Sequence, residues 1–406
     1  MTFKELYLSG QIEFEELDHY VSRWNNSDDE RTLARYLGLD AEEEDVWIED
    51  SDEALKDLLN SKEKVAGVPV TLGRTGIVVN KNGFGALPIQ RVSMEEAERL
   101  LKKAYNAGIR FYDTASAYSD SEAKLGQALS EVREHIYIAT KTMSQTVDGF
   151  WKELENSLHN LKTTYIDIYQ FHNPSFVPKP GDGNGLYEAM QEARAQGKIR
   201  FIGITNHRMA VAEEAVESGL YDTLQFPFNY LSTPRELALS ELCKKNNIGF
   251  IAMKGMSGGL ISNSRAMAAF MAQHDNVLPI WGVQKEKELD EFISYISNQP
   301  VMDDELRAVM EKDQKELSAD FCRGCGYCMP CPAGIEINNC ARMSLLLRRS
   351  PSKDHLSPEG QEKMSKISDC LHCDACKSKC PYGLDTPRLL ADNYRDYKEV
   401  LEGKPL

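Results

Sequence analysis

The sequence lacks any run of apolar residues long enough to cross a bilayer. A transmembrane helix needs about 20 consecutive apolar residues, and no window of the 406-residue chain approaches that composition. The first residues include Lys4 and Glu5, which interrupt the apolar core that a signal peptide requires. We therefore expect a cytoplasmic protein that has no membrane partner.

The sequence is also short of positive charge. It has 47 Lys and Arg against 63 Asp and Glu, for a net charge of −16, and residues 1–63 hold 19 acidic but only 6 basic side chains. Because phosphate backbones are bound by basic surfaces, we expect no nucleic-acid partner. Apolar residues recur at helical spacing in this acidic segment, for example at Leu17, Val21 and Trp24. Residues 1–66 are predicted to form an acidic helical module that docks a partner or a second subunit, with a solvated charged surface as the alternative.

Cysteine is scarce except in two short runs near the C-terminus. Eight of the ten cysteines lie there, and each run ends in Cys-Pro. The second run has the spacing of bacterial ferredoxins, whose thiolates hold cubane iron-sulfur clusters, and the first is one residue shorter in its last gap. The sequence therefore predicts two 4Fe-4S clusters. The candidate ligands are Cys322, Cys325, Cys328, Cys331, Cys370, Cys373, Cys376 and Cys380.

The partition of these ligands follows from the two-cluster rule, in which the cysteine before proline serves the other cluster. Cys380 is thus assigned with the first three cysteines of the first run, and Cys331 with the first three of the second. Zinc is an alternative, although its sites usually use two separated cysteine pairs. Cys340 is a spare ligand if the short first run cannot close, and Cys243 is expected to be a core residue.

From residue 70 onward, short apolar runs alternate with amphipathic stretches. The predicted strands are 82–87, 110–114, 136–140, 166–171, 201–204, 223–225, 248–253 and 277–280. Eight strand-helix units are typical of a (β/α)8 TIM barrel. An open doubly wound sheet is the rival fold, but the Gly83-Phe-Gly85 stretch lacks the third glycine of a dinucleotide-binding turn. We predict a barrel over residues 67–302 and a two-cluster, ferredoxin-like helical domain over residues 303–406.

Polar residues stand at the ends of successive predicted strands, where barrel active sites form. Asp113, Lys141 and His172 end three strands, and Tyr118 lies in the loop after the first of them. Together with the motif Gly-Ile-Thr-Asn at Gly203–Asn206, these residues resemble the corresponding motifs of the aldo-keto reductases. The resemblance covers about residues 70–295 and is closest to the bacterial group that carries a C-terminal ferredoxin-type domain.

The resemblance implies a catalytic role for these four residues, and their chemistry agrees. A free tyrosine has a pKa of about 10, and a neighbouring ammonium favours the phenolate. Lys141 would therefore make Tyr118 a better acid, Asp113 would hold Lys141 in place, and His172 would orient a carbonyl oxygen.

A nicotinamide cofactor is also implied by the resemblance. Thr205, Asn206 and Gln225 match the positions that hold the carboxamide, and the 253–260 loop matches the one that covers the pyrophosphate. Met253 replaces the aromatic residue that usually stacks on the nicotinamide, and Lys254 follows it.

The adenine end of the expected site departs from the family's pattern. Gly282, Lys285 and Glu291 lie in the matching segment, which lacks the usual arginine. Lys285 or Lys287 would replace it as a point charge for a 2′-phosphate, without the bidentate grip of arginine. NADPH is therefore only weakly favoured over NADH.

The sequence supports an oxidoreductase that reduces an aldehyde or ketone, or oxidises the alcohol. The alternative is an electron-transfer or scaffold subunit whose barrel docks a redox partner protein. Hydride carries two electrons and a cubane accepts one, so exchange between them normally needs a flavin, for which no motif is evident. We expect the clusters to be structural or to transfer electrons. From Asp303 the chain leads into the predicted cluster domain, where other members of the family have long C-terminal substrate-binding loops. The substrate of those members therefore does not transfer to this chain.

Overall fold

The computed structural model describes residues 1–62, 64–317, 321–349 and 352–405. It divides into two compact units. The first comprises residues 1–228, 232–253 and 268–301, and the second comprises 229–231, 254–267 and the described residues from 302 onward. Two segments within the sequence of the predicted barrel, 229–231 and 254–267, thus belong to the second unit. No helix among the described residues is long and apolar enough to cross a membrane.

The first unit is built on eight parallel strands, which close into a barrel because each strand pairs with the next and the last pairs with the first. The predicted TIM barrel is confirmed. Its strands are β3 (Gly83–Gly85), β4 (Phe111–Asp113), β5 (Tyr137–Thr142), β6 (Ile166–His172), β7 (Ile199–Thr205), β8 (Thr223–Pro227), β9 (Gly249–Met253) and β10 (Val277–Gly282). Because the strands are parallel, their carboxyl ends share one rim, and residues from distant parts of the chain meet there.

Helices follow the strands as the alternating pattern predicted. They are α6 (Met94–Asn106), α7 (Ser121–Leu129), α8 (Val147–Asn160), α9 (Leu186–Ala195), α10 (Met209–Glu217), α11 (Pro234–Lys245), α12 (Ser264–Ala272) and α13 (Glu286–Ser297). Several have clear start signals. Thr233 and Glu236 form a capping box at the start of α11, and Pro234 occupies its first turn. Single 3-10 turns lie at Phe14–Glu16, Pro88–Arg91, Ser130–His135, Ser257–Gly259 and Lys366–Asp369.

A short antiparallel hairpin, β1 (Pro69–Thr71) and β2 (Val78–Asn80), closes the barrel at one end. Its buried Val70 and Val79 belong to the same apolar cluster as Phe111 and Ile168 of the strands. Phe111 is the first residue of β4, so the hairpin lies at the amino-terminal end, opposite the rim. The hairpin was not predicted because neither of its strands is followed by a helix, so both fall outside the strand-helix repeat that identified the barrel strands.

Residues 1–62 form the expected helical module and share the first unit with the barrel. The helices are α1 (Phe3–Leu8), α2 (Leu17–Asn25), α3 (Leu33–Leu37), α4 (Ala41–Glu49) and α5 (Asp52–Ser61). Lys4 of α1 is fully buried, with its Nζ 2.6 Å from Glu43 Oε1, and it donates to the Gly76 carbonyl at 2.9 Å. Glu5 accepts hydrogen bonds from Thr71, which lies on the hairpin. Paired polar contacts therefore fix the module against the hairpin.

The second unit is helical but has short elements, and it confirms the expected helical C-terminal domain. Its helices are α14 (Asp304–Glu316), α15 (Ile337–Cys340), α16 (Met343–Arg349), α17 (Pro358–Ser365), α18 (Ala375–Ser378) and α19 (Thr386–Leu401). A small core gathers Leu260, Ile335, Met364 and Leu390, all essentially inaccessible to solvent. The cysteine runs lie largely in the loops around this core.

Candidate active site and cysteine quartets

The barrel rim contains a buried ion pair. Asp113 is the last residue of β4 and Lys141 lies in β5 beside it, each with no more than 3 % of its side chain exposed. Lys141 Nζ lies 2.7 and 2.8 Å from the two carboxylate oxygens of Asp113 and donates to the Thr114 carbonyl at 2.6 Å. All three ammonium hydrogens therefore have acceptors, which is the condition for holding a charge inside a protein.

Burial shifts the pKa values of the two members of this pair in opposite directions. Desolvation raises the pKa of Asp113 and lowers the pKa of Lys141, because both charged forms lose water. Each charge also stabilises the other. Asp113 accepts further hydrogen bonds from Gln170 Nε2 and Gln225 Nε2, both at 3.4 Å, which favour its carboxylate form.

The two remaining predicted catalytic residues lie beside the pair. Lys141 Nζ is 5.3 Å from the centre of the Tyr118 ring. The rings of Tyr118 and His172 meet edge to face, with centroids 5.8 Å apart and an interplanar angle of 83°. Both side chains are partly exposed, whereas Asp113 and Lys141 are buried beneath them. The structure thus brings all four together in an arrangement suited to proton transfer at the rim.

Gln170 was missed by the sequence analysis. It is fully buried in β6, where its Nε2 bridges Asp113 and the Oε1 of Gln225, the latter at 3.0 Å. The sequence did contain a signal for Gln170, because it is the one amide side chain in the aliphatic and aromatic stretch Ile-Tyr-Gln-Phe before His172. A buried amide needs partners, and here those partners are site residues.

The residues expected near the nicotinamide also lie at the rim. Thr205 ends β7, and its Oγ1 lies 4.0 Å from the sulfur of Met253, the last residue of β9. Asn206 Oδ1 accepts from the backbone N–H groups of His207 and Arg208 at 2.9 and 2.8 Å. This local turn shapes the approach to α10 and is typical of asparagine. Gln225 is held by the Asp113 network described above.

The residues expected at the adenine end lie around the start of α13. Gly282, Lys285 and Glu291 are all exposed, as is Lys287. Lys285 immediately precedes the helix, and its backbone N–H donates to Glu288 Oε2 at 3.0 Å. Glu291 accepts from the Tyr295 hydroxyl at 3.3 Å. Lys285 and Lys287 therefore present point charges to solvent, without the planar fork of an arginine.

Lys254 belongs to the second unit. Its backbone has a positive φ of 60°, and its carbonyl accepts from Asn229 Nδ2 at 3.0 Å. Its positive charge acts on Cys325, where it favours the thiolate. A residue expected from the sequence to bind a dinucleotide thus also neighbours a cysteine run.

The first cysteine quartet consists of Cys322, Cys325, Cys328 and Cys380. Cys380 interacts electrostatically with Cys322 and with Cys325, although it lies 55 or more residues further along the chain. Backbone N–H groups of Gly324 and Tyr327 hydrogen-bond to the sulfurs of Cys322 and Cys325. Burial raises the pKa of Cys328 to about 12. N–H groups directed at sulfur are a feature that tunes iron-sulfur clusters.

The second quartet consists of Cys331, Cys370, Cys373 and Cys376, and all four line one cavity, which Cys328 of the first quartet also lines. Within the described ranges, no three His, Cys, Asp or Glu side chains converge closely enough to hold a single metal ion. A cubane is larger than an ion, and its four ligands surround a cavity of this kind. The chemistry of both donor sets therefore fits 4Fe-4S clusters, and the partition of the ligands between them stays a prediction.

The other two cysteines stand apart from the quartets. Cys340 lies in the apolar core of the second unit, with its sulfur 3.8 Å from the Lys363 carbonyl, and burial raises its pKa to about 11. Cys243 is fully buried in α11, and burial raises its pKa as well. Neither is placed to complete a cluster that already has four cysteines.

Comparison with known proteins agrees with both sites. Residues 81–271 match the aldo/keto reductase family, and residues 321–385 match the 4Fe-4S dicluster domain. The first match spans the four rim residues, and the second spans both cysteine runs. Among curated relatives of the reductase domain, NADPH-dependent codeinone reductase 1-1 of Papaver somniferum is 29 % identical over 205 residues, or 45 % of this chain and 64 % of its own length. L-galactose dehydrogenase of Arabidopsis thaliana is 28 % identical over 210 residues, covering 47 % and 66 %.

The chain therefore spans about two thirds of the length of the curated reductases that it matches. Solved structures support the fold of the reductase domain. An aldo-keto reductase of Klebsiella pneumoniae in complex with NADPH superimposes with a TM-score of 0.53 at 20 % identity, covering 60 % of this chain and 95 % of that one. The holo form of an aldo-keto reductase of Bacillus halodurans gives 0.54 at 19 % identity, covering 61 % and 96 %.

Proposed function

We propose that this protein is a nicotinamide-dependent oxidoreductase that reduces an aldehyde or ketone, or oxidises the corresponding alcohol. The observation that carries the proposal is the buried Lys141–Asp113 pair lying beneath the partly exposed Tyr118 and His172. Relatives named as reductases and dehydrogenases support the same chemistry. Cluster ligation needs reduced cysteines, and the cytoplasm keeps thiols reduced, so a cytoplasmic location suits the protein.

Each rim residue has a distinct task in this reaction. When bound, the nicotinamide supplies a hydride equivalent at the carbonyl carbon. Tyr118 gives its hydroxyl proton to the carbonyl oxygen, and the ammonium of Lys141 stabilises the phenolate that remains. Asp113 keeps Lys141 charged and fixed, and His172 orients the carbonyl oxygen. In alcohol oxidation the same proton returns to Tyr118.

The cofactor is proposed to be NADPH, as in the relatives named NADPH-dependent. Thr205, Asn206 and Gln225 would hold the carboxamide, with Met253 beside the ring. The pyrophosphate and adenosine are assigned to Lys254, Gly282, Lys285 and Glu291. Nothing in the described structure supports a flavin as a further cofactor.

Two 4Fe-4S clusters are proposed on the cysteine quartets, where they supply one-electron storage. Anaerobic purification followed by iron and sulfide analysis should give about eight irons per chain. Zinc in their place would refute the cluster assignment. We assign the clusters either a structural role or the transfer of electrons to a redox partner protein.

The decisive test of the reductase proposal is Tyr118→Phe. Loss of the proton donor should lower carbonyl turnover by about 100-fold to 10,000-fold while NADPH binding, followed by tryptophan fluorescence, stays unchanged. Tyr165→Phe is the matched control, since its ring packs on Arg200 at the amino-terminal end of β6. Wild-type turnover of every carbonyl by Tyr118→Phe would refute the role of Tyr118.

One observation favours the alternative of an electron-transfer subunit. Leu371, His372, Cys373 and Asp374 are all exposed, so an edge of the second quartet faces solvent. Such an edge suits electron exchange with a redox partner, because transfer requires close approach. Absence of NADPH binding by the wild-type protein would favour this function over the reductase.

A further inference from the structure

The segment that the family resemblance assigns to the pyrophosphate is built into the cysteine-bearing unit. Residues 254–260, called here the 254–260 segment, belong to the second compact unit. Leu260 is fully buried in the core of that unit, among Ile335, Met364 and Leu390. The position of this segment therefore depends on the packing of the cysteine-bearing unit.

Two arginines from that unit bind backbone carbonyls of the segment. Arg349 Nε donates to the Leu260 carbonyl at 2.7 Å, and the Arg349 guanidinium is itself paired with Asp313 and Glu316. Arg342 Nη1 donates to the Ser257 carbonyl at 3.4 Å. Arg349 is thus neutralised by carboxylates, whereas no carboxylate pairs with Arg342 among the described residues.

Arg342 instead lies against the first cysteine quartet. Its charge acts on Cys322 and Cys325. A Cβ atom added at Gly324, between those cysteines, would lie 2.7 Å from Arg342 Cζ, and one added at Gly258 would lie 2.6 Å from Arg342 Nη1. The guanidinium is therefore packed between the cysteine loop and the 254–260 segment, and a Cβ atom on either glycine would displace it from this position.

The environment of Arg342 lacks a partner that a cubane would supply. The residue is 92 % buried, and its Nε has no hydrogen-bond partner in the described part of the chain. An uncompensated buried cation is strongly unfavourable. A thiolate-bound cubane carries negative charge and accepts hydrogen bonds at sulfur, so a cluster on the first quartet would satisfy both the charge and the donor.

We propose that Arg342 couples the first cluster to the 254–260 segment, so that tight dinucleotide binding requires an assembled first cluster. This inference rests on the proposed function, in which the segment covers the pyrophosphate. Loss of iron removes the negative group beside Arg342, the guanidinium turns toward water, and its bond to Ser257 is lost. Arg342 is a positioning residue, and the first cluster organises the cofactor site without any exchange of electrons with the nicotinamide.

The test measures NADPH affinity of the full chain by tryptophan fluorescence, with iron content determined in each sample. Removing iron from the wild-type protein with a chelator should weaken NADPH binding by about tenfold, a typical coupling between two sites. Arg342→Gln with full iron should show a comparable loss, without any removal of iron. Arg342→Lys, which keeps the charge, should recover part of the affinity.

Arg348→Gln is the matched control, because Arg348 lies on the neighbouring helix and pairs with Asp396 at the surface. It should respond to chelation as the wild type does. Wild-type affinity in Arg342→Gln with full iron, or in the chelated wild type, would overturn the inference. Absence of NADPH binding by the iron-replete wild type would instead overturn the proposed function.

A second measurement covers the case in which Arg342→Gln fails to retain iron. Amide hydrogen exchange of the wild type reports the 254–260 segment directly, since the N–H groups of Ser257 and Gly259 are bonded to the carbonyls of Lys254 and Met256. Their protection should fall when iron is removed. Unchanged protection would show that the segment is held without the cluster and would overturn the inference.

Discussion

The barrel rim and the cysteine quartets are built in opposite ways. At the rim, hydrogen bonds join Asp113, Lys141, Gln170 and Gln225 to one another, so the chain itself holds these side chains in place. In the second unit the ligands lie in loops between short helices, and α15 and α18 have four residues each. A site of this kind gains its order from the group that it binds. The barrel thus holds its rim residues by its own hydrogen bonds, whereas the cysteine loops of the second unit would be ordered by the proposed clusters.

The two quartets also differ from each other. Residues 322–329 of the first run are all at least partly shielded, whereas residues 371–374 of the second run are all exposed. Solvent exposure and nearby charge are the main protein contributions to a cluster's reduction potential. The first quartet is thus suited to a structural or coupling role, and the second to contact with a partner.

The largest expected effect comes from complete removal of iron. We expect amides in α16 and α19 to lose their protection, because the second unit has little core without its clusters. Amides in β5 to β8 should keep theirs, since the barrel has its own buried core. Hydrogen exchange with mass spectrometry measures both regions in one sample. Equal protection in α19 before and after iron removal would show that the second unit, like the barrel, is formed by the chain alone.

A smaller effect is expected from breaking the buried pair of the rim. Lys141→Met leaves Asp113 charged and buried, which typically costs about 3–5 kcal/mol of unfolding free energy. The loss should appear in the denaturant transition of the barrel. Lys102→Met is the control, since Lys102 makes an exposed pair with Glu98 and its loss should cost less than about 1 kcal/mol. Equal destabilisation by the two substitutions would show that the pair is less important for the fold than its burial indicates.

The smallest effect concerns pH and again affects the barrel. Burial lowers the pKa of Lys81 from its ordinary value of 10.5 to about 8. Above pH 8 the unfolded chain therefore holds a proton that the folded chain has released, so stability rises with pH up to the unfolded pKa. Relative to Lys81→Met, the wild type should gain roughly 2 kcal/mol between pH 8 and pH 10. A difference between the two proteins that is constant over this range would show that Lys81 keeps its ordinary pKa.

Much of the fold and part of the site were accessible to sequence reasoning. The alternation of apolar runs and amphipathic stretches predicted all eight barrel strands, and strand-end positions predicted Asp113, Lys141 and His172. Local patterns suffice there because parallel strands bring their ends together in any such barrel. The β1–β2 hairpin was not predicted because its two strands lie outside the strand-helix repeat.

By itself, the sequence determined the barrel, its rim residues and the two cysteine runs, since each is encoded in periodicity or spacing within a short stretch. Only the tertiary structure showed that Gln170 joins the Asp113 network, that residues 254–260 belong to the cysteine-bearing unit, and that Arg342 lies between Ser257 and the first quartet. Arg342 and Ser257 are 85 residues apart. Contacts over such separations depend on how whole elements pack, and no local pattern records them.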